Sequence, residues 1–355
     1  MITIENHLNN HLAQSLPFVL YAKPNSQKLI GYFQQDYQIY STINYTDSGF
    51  VFAPFDGEEN IFFSIENCEV VTDSIADLQV DFAVFNDVQP SQAVKQNHMQ
   101  LVQQGIDAIV NNEIKKVVLS RKETLAITDM NFLLYYKRLL KAYPTAFRYL
   151  FFHPQVGFWM GATPEQLVKQ HNDAIETVAL AATQVKMNIE DVVWSEKEIE
   201  EQKVVTDFII QNLKPFVTEL QLSQPYTAQA GTLFHIKTDI KAKLAKKEYF
   251  VNVLTALHPT PALCGYPKQE AKKFILSHEN YDREFYAGFL GELHYNPLTK
   301  QTNESDIFVN LRCMQLESNK VHLYVGGGIM AQSNPEAEFV ETINKSKTIK
   351  KILGS

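Results

Sequence analysis

The chain has 355 residues with 32 Lys+Arg against 40 Asp+Glu, a formal net charge of −8, which argues against a surface that tracks nucleic-acid phosphates. A hydrophobic share of 45% suits a folded protein whose core needs no staples, and Cys68, Cys264 and Cys313 lie too far apart for a disulfide framework or a zinc pattern, so a reducing cytoplasm is the expected setting. The longest uncharged window, Tyr249 to Pro267, contains Asn252, His258 and Pro259 and is no membrane span, and the opening MITIENHLNN lacks the basic and apolar regions of a secretory leader.

Over the first ~85 residues, alternation and aromatic content predict strands at FVLYAK, KLIGYFQ, YQIYSTI, GFVFAPF and IFFSI. From Ser91 the apolar spacing becomes helical through Val94, Met99, Leu101, Val102, Ile106 and Ile109. A strand follows over IKKVVLSRKETL, then a helix over NFLLYYKRLLKAY and strands at FRYLFF and GFWMGA. Next come a strand at AIETVALAAT, a helix over SEKEIEEQKVVTDFIIQNL and a β-like stretch through PYTAQAGTLFHIKT. KKEYFVNVLTAL reads as a helix and HPTPALCGYP as a loop. The last third gives strands at REFYAGFLGEL, DIFVNLRCMQLE and KVHLYVGGGIM before a closing helix from Asn334. Short connections between strands favour antiparallel ladders. The fold class is therefore α+β, with helices covering large antiparallel sheets. No linker divides the chain, so residues 1–355 read as one domain, 1–90 a β-rich part and 91–355 a part rich in motifs.

The closing helix carries Asn334 as cap and Pro335 at its first position. On it Glu338, Glu341 and Lys345 share one face; they form either a solvated Glu–Lys face or a carboxylate pair for a hard cation such as Mg²⁺. Ser195 and Glu198 form a capping-box pattern at a second acidic helix, whose Glu196, Glu198, Glu200 and Glu201 either stabilise the helix start or supply one inward ligand. Gly326, Gly327 and Gly328 sit between a strand and the closing helix, as an anion-binding turn or a β-bulge. Of Lys115 and Lys116 only one faces inward by period-two alternation, where desolvation would favour a neutral base. Glu165 follows a proline in GATPEQL, a pattern for a helix start. Arg312, inside the apolar run FVNLRCM, needs an anionic partner or a route to solvent.

Taken together, KKVVLSR, GATPEQL, LHPTPALCGYP, REFYAGFLGE, LRCM and VGGGIMAQSNPEAEFVETINK resemble the chorismate-binding enzyme family, which includes isochorismate, salicylate, anthranilate and aminodeoxychorismate synthases. The resemblance covers Ser91 to the end and implies a two-layered α/β sandwich with large, mostly antiparallel sheets. It implies Mg²⁺ held by Glu201 and Glu341, with Glu338 nearby through water. It places Arg312 and Tyr286 on the enolpyruvyl carboxylate of chorismate, with help from the Gly326 backbone, and Lys345 beside the metal. His235, Thr183, Ala262 and Leu263 would border the ring.

Isochorismate formation adds water at C2 while the C4 hydroxyl leaves, so it needs a base and an acid. By the same resemblance Lys116 matches the base and Glu165 the acid, which requires a neutral lysine and a protonated glutamate. Ala181 stands where one group of aminodeoxychorismate synthases carries a nucleophilic lysine, and Ala262 stands where salicylate synthases usually carry threonine. The implied function is a Mg²⁺-dependent isochorismate synthase serving menaquinone or catechol siderophore formation. Salicylate synthase, or a chorismate-binding homologue without activity, is the alternative. The expected partner is chorismate alone, with no nucleic acid, membrane or amidotransferase subunit, for a cytoplasmic monomer. Three positions depart from the family pattern: Ala182 for glycine, Gln184 for a basic residue and Gln202 for histidine.

Overall fold

Alternating apolar stretches become strands because each can give one face to a core and the other to a second layer. The computed structural model describes residues 2–57, 59–85, 89–185, 188–230 and 233–354. Among them, the first nine-stranded sheet runs Gly265–Tyr266, Lys116–Ala126, Lys320–Ile329, Cys313–Glu317, Gly157–Thr163, Phe147–His153, Phe18–Ala22, Lys28–Gln34 and Cys68–Ser74. The second runs Val217–Leu222, Leu233–Leu244, Ala174–Val185, Gln166–His171, Glu304–Val309, Phe289–Leu293, Gly49–Ala53 and Ile61–Ser64, with Tyr226–Ala230 added on Leu233–Leu244. Each neighbouring pair is antiparallel. Helices are α1 (Ile2–Gln14), α2 (Gln92–Val110), α3 (Phe132–Ala142), α4 (Glu196–Leu213), α5 (Tyr249–Leu257), α6 (Lys268–His278) and α7 (Pro335–Lys350). The protein is thus an α+β sandwich of two large antiparallel sheets. Strands from the first 90 residues enter both sheets, Phe18–Ala22 beside Phe147–His153 and Gly49–Ala53 beside Phe289–Leu293.

Two cores follow from the alternation. Val19 and Tyr21 join the core between the sheets, while Phe18, Leu20 and Ala22 join the layer under α1 and α3. Between the sheets, Phe147 stacks on Phe308 at 4.4 Å and Phe52 on Phe285 at 4.2 Å. Each fully buried ring of this kind contributes ~2–3 kcal/mol by removal of apolar area from water.

Several expected elements differ. YQIYSTI is irregular and ends in a 3₁₀ turn at Ile43–Tyr45. α1 replaces part of the expected β region; among its described side chains the buried apolar stripe is Ile4 and Leu8 with Leu12 half-buried, beside a buried His11, too narrow to stand out beside the strands that follow. Helix α6 and the strands Cys68–Ser74 and Gln166–His171 also went unread. REFYAGFLGEL is extended only from Phe289, and PYTAQAGTLFHIKT is two strands, the two residues between them lying outside the described residues.

The difference that matters most is in DIFVNLRCMQLE. It is two strands in two sheets: Glu304–Val309 belongs to the second and Cys313–Glu317 to the first. The chain crosses between layers at Asn310–Arg312, with Arg312 at φ 48°. The segment GATPEQL crosses the other way, from Gly157–Thr163 to Gln166–His171, at Pro164–Glu165. The two crossings lie side by side. Val309 N–H donates to the Glu165 carbonyl at 3.0 Å, and Ala162 N–H donates to the Arg312 carbonyl at 3.1 Å.

Candidate active site

A cavity opens where the crossings meet the glycine-bearing strand Lys320–Ile329 and the helices α4 and α7. Glu165 and Arg312 enter it from the crossings, Tyr286 and His235 from the second layer, and Ala262 with Leu263 from the loop after α5. Glu201 reaches it from α4, and Glu341 and Lys345 from α7. Thr183 and Gly326 complete the predicted set on its wall. Lys116 and Glu338 lie just behind, each bound to or facing a group of that wall.

Glu165 sits at a sheet crossing, not at a helix start: the proline that suits a first helical turn here lets the chain leave one sheet for another. Its carboxyl is buried, and burial pushes its pKa up to about 7 against the pull of Lys116, Arg312 and Lys345. Glu165 is therefore protonated for a large part of the time near neutral pH, as a general acid must be. Alternation places Lys116 inside, fully buried, and leaves Lys115 exposed. Lys116 Nζ lies 3.0 Å from Glu201 Oε1 and has no hydrogen-bond partner among the described residues.

The three glycines lie inside the strand, paired with Ser120, Leu119 and Val118, and form neither a turn nor a bulge. What they supply is space. A Cβ at Gly328 would stand 2.2 Å from Glu201 Oε1, and one at Gly327 would stand 3.3 Å from Glu338 Oε2 and 3.5 Å from Glu341 Oε1. At Gly326 it would meet the Leu119 carbonyl at 2.8 Å and the Tyr286 hydroxyl at 3.0 Å. The bare strand is a cradle for carboxylates on both its faces.

Each of these carboxylates faces a lysine. Glu341 Oε1 is 2.6 Å from Lys345 Nζ, which also donates to the Gly326 carbonyl at 2.9 Å. Glu338 Oε1 accepts from Lys197 Nζ at 2.7 Å and from Ser333 Oγ at 2.6 Å, while burial and then the Glu341 charge raise its pKa. Lys197 was missed from sequence, although it stands four residues before Glu201 on one face of α4. Of these carboxylates Glu201 and Glu341 share the cavity wall, and a hard cation there would take one or two carboxylates and keep its waters. They do not form a closed cage, since no three His, Cys, Asp or Glu side chains among the described residues are grouped to hold a metal.

His235 Nδ1 donates to the Ala182 carbonyl at 2.7 Å, and burial, with Arg312 and Lys345 adding to it, lowers its pKa to about 3. Ala182 presents that carbonyl from a register shift in the Ala174–Val185 strand at φ 62°, a strained angle for a residue with a side chain. Gln184 donates to both oxygens of Glu198 at 2.9 Å, and Gln202 to Thr238 and Thr206 at 2.9 Å. Neither glutamine occupies the cavity wall.

A family model described as chorismate binding enzyme matches residues 65–354. The chain belongs to the chorismate-binding enzymes. Among its relatives are the isochorismate synthase DhbC of Bacillus subtilis, 32% identical over 55% of this chain and 50% of that protein, and the isochorismate synthase EntC of Escherichia coli, 29% identical over 72% and 66%. A protein of Aeromonas hydrophila named as a putative isochorismate synthase is 33% identical over 71% and 65%. The chain thus spans half to about two thirds of the length of these curated relatives. In fold it is similar to the crystal structure of DhbC from Bacillus anthracis, with a TM-score of 0.79 at 23% identity over 98% of this chain and 99% of that one. Chorismate-binding enzymes therefore include this chain on motif, sequence and fold together. No helix among the described residues is long and apolar enough to cross a membrane.

Proposed function

We propose that the protein is an isochorismate synthase, adding water at C2 of chorismate as the C4 hydroxyl leaves. The observation that carries the reading is the pairing of a fully buried Lys116 with a buried Glu165 whose pKa stands at about 7 beside one cavity. In this reading Lys116 takes a proton from the attacking water and Glu165 Oε gives one to the departing hydroxyl. Arg312 and Tyr286 hold the enolpyruvyl carboxylate, with Lys345 fixing the Gly326 carbonyl beside them. Water as the nucleophile needs no amidotransferase partner.

Glu201 and Glu341 would hold Mg²⁺, with Glu338 behind them. When bound, the ion supplies positive charge for the ring carboxylate. The protein's own groups do the rest. The lysines around the carboxylates keep a net-acidic chain locally hospitable to a dianion. Neutral His235, with its Nδ1 proton committed to Ala182, serves as a fixed wall beside the ring and not as an acid.

The test is incubation of the purified protein with chorismate and Mg²⁺, with products separated by chromatography and a thermal shift run in parallel. Isochorismate is expected. Salicylate would mean that pyruvate elimination follows, and stabilisation by chorismate without product would make the chain a binding homologue.

A further inference from the structure

Arg283 and Glu279 are buried, charged and absent from the mechanism above. Arg283 is 3% exposed, and its Nε and Nη2 grip the Glu279 carboxylate at 2.7 and 2.6 Å. The same guanidinium donates from Nη2 to the Val118 carbonyl at 2.7 Å and from Nη1 to the Leu263 carbonyl at 3.0 Å. Glu279 Oε1 in turn accepts from the Ser120 N–H at 2.7 Å and from its hydroxyl at 2.8 Å. Tyr286 N–H donates to the Arg283 carbonyl at 2.8 Å, and the cation lies 4.5 Å over the Phe55 ring.

The location explains the arrangement. Among the described residues, the strand Lys116–Ala126 is paired on its outer side only with Gly265–Tyr266, opposite Val117 and Lys116, with the Val118 N–H also donating to the Cys264 carbonyl. Beyond that point its edge would present backbone groups with no ladder partner, at a cost when buried. The Val118 carbonyl and the Ser120 N–H are edge groups of this kind, and the Arg283–Glu279 pair takes both. Two side chains thus continue the ladder where the short strand stops. The edge they complete carries Lys116 two residues before Val118, and the loop they tie to it carries Ala262 and Leu263.

We propose that Arg283, held by Glu279, is a positioning residue that sets the spacing between Lys116 and the Ala262–Leu263 loop. The proposal rests on the isochorismate synthase reading for the consequence in rate, while the spacing itself is a property of the fold. Arg312 and Lys345 are not among the pair's hydrogen-bond partners, and Tyr286 is held through the Arg283 backbone carbonyl, which substitution of the side chain keeps, so substrate affinity is largely retained when the pair is lost. Rate is not, because displacement of a reacting group by ~1 Å costs about 100-fold.

Removing Arg283 alone would strand a buried carboxylate and threaten the fold. The test is therefore the double variant R283M/E279L, which removes both charges and keeps apolar volume. It is compared with wild type by thermal melting, by steady-state kinetics on chorismate with Mg²⁺, and by peptide-level hydrogen exchange. Expected are a folded protein with a lower melting temperature than wild type, because the Val118 and Leu263 carbonyls and the Ser120 N–H lose their partners, faster exchange confined to residues 116–120 and 257–267, kcat down about 100-fold, and KM within about 3-fold. Unchanged kcat in a folded double variant overturns the proposal, whether or not exchange changes, since the pair would then be structural only. Lost rate without the local exchange change overturns it too. If the wild-type protein forms no product from chorismate, the functional reading has failed, and the exchange comparison alone decides whether the pair sets the spacing. If the double variant does not fold, the same measurements on E279Q, which keeps the shape of the clamp and weakens its grip, decide it by the same criteria.

Discussion

Gly328→Ala separates the cost of misplacing a carboxylate from the cost of disturbing the fold. The added Cβ would stand 2.2 Å from Glu201 Oε1, 3.0 Å from its Cδ and 3.1 Å from Lys116 Cε. An ordinary carbon–oxygen contact is roughly 3.3 Å, so the carboxylate must retreat by about 1 Å. It is the free end of a flexible side chain, and turning it off its rotamer costs only ~1 kcal/mol, a few degrees in melting temperature. The strand itself is not at a positive φ there, so alanine adds no backbone strain. In the proposed site the same ångström disturbs the Lys116–Glu201 contact and the cation carboxylate together, and kcat/KM should fall about 100-fold, equivalent to ~2.7 kcal/mol. The assay is kcat/KM on chorismate across a Mg²⁺ titration, beside a thermal melt. A folded G328A enzyme with kcat/KM within about 3-fold of wild type would refute the cradle. The neighbours calibrate the reasoning. G327A, at 3.3 Å and 3.5 Å from its carboxylates, should be nearly silent, whereas G326A, pressed on the Leu119 carbonyl at 2.8 Å, should lose stability.

Other outcomes follow from the same geometry. Lys116→Ala should abolish turnover while the protein stays folded by circular dichroism; measurable activity would remove the base assignment. Glu341→Ala should lose Mg²⁺-dependent activity and weaken Mn²⁺ binding by calorimetry, and an unchanged metal requirement would remove its role as a ligand. Glu165 has its pKa raised from 4.5 to about 7, so its contribution to stability is full below pH 4.5 and is lost as pH rises through about 7. Wild-type kcat/KM should accordingly fall above pH 7. E165Q should lose activity by 10²-fold or more yet gain stability over wild type between pH 5 and pH 8 in chemical denaturation; equal pH dependence of stability in the two would contradict the buried acid.

Much of this was legible in the chain because a strand buried on both faces reads as a short continuous apolar run, as in FVLYA, whose successive residues feed two cores in turn. The spacing of Glu338, Glu341 and Lys345 on α7 was equally readable, and alternation showed that one of Lys115 and Lys116 turns inward, the choice of Lys116 coming from the resemblance. What escaped were features set by a change of layer. FVNLRCM is apolar throughout, and nothing in composition marks the point where it passes from one sheet to the other. Pro-Glu reads alike at a helix start and at a strand exit, so the sequence alone does not tell which of the two carries Glu165. The Arg283–Glu279 pair stays hidden for a different reason: its spacing of four suggests an ordinary surface bridge, and only the missing strand beside Val118 shows what it replaces.

The side-by-side crossings also bear on how the molecule breathes. Two sheets stacked face to face can ordinarily slide or rotate against each other, since their contact is a layer of non-directional apolar packing. Here the chain passes from one sheet to the other twice, side by side, tied by hydrogen bonds from Val309 and Ala162, and a third short link, from Ile61–Ser64 to Cys68–Ser74, joins the sheets again at their far edge. Sliding of one layer over the other is thereby opposed by covalent chain at two separate places. Glu165 and Arg312 sit on the inner pair of links, so their spacing is set by backbone hydrogen bonds and not by side-chain packing alone.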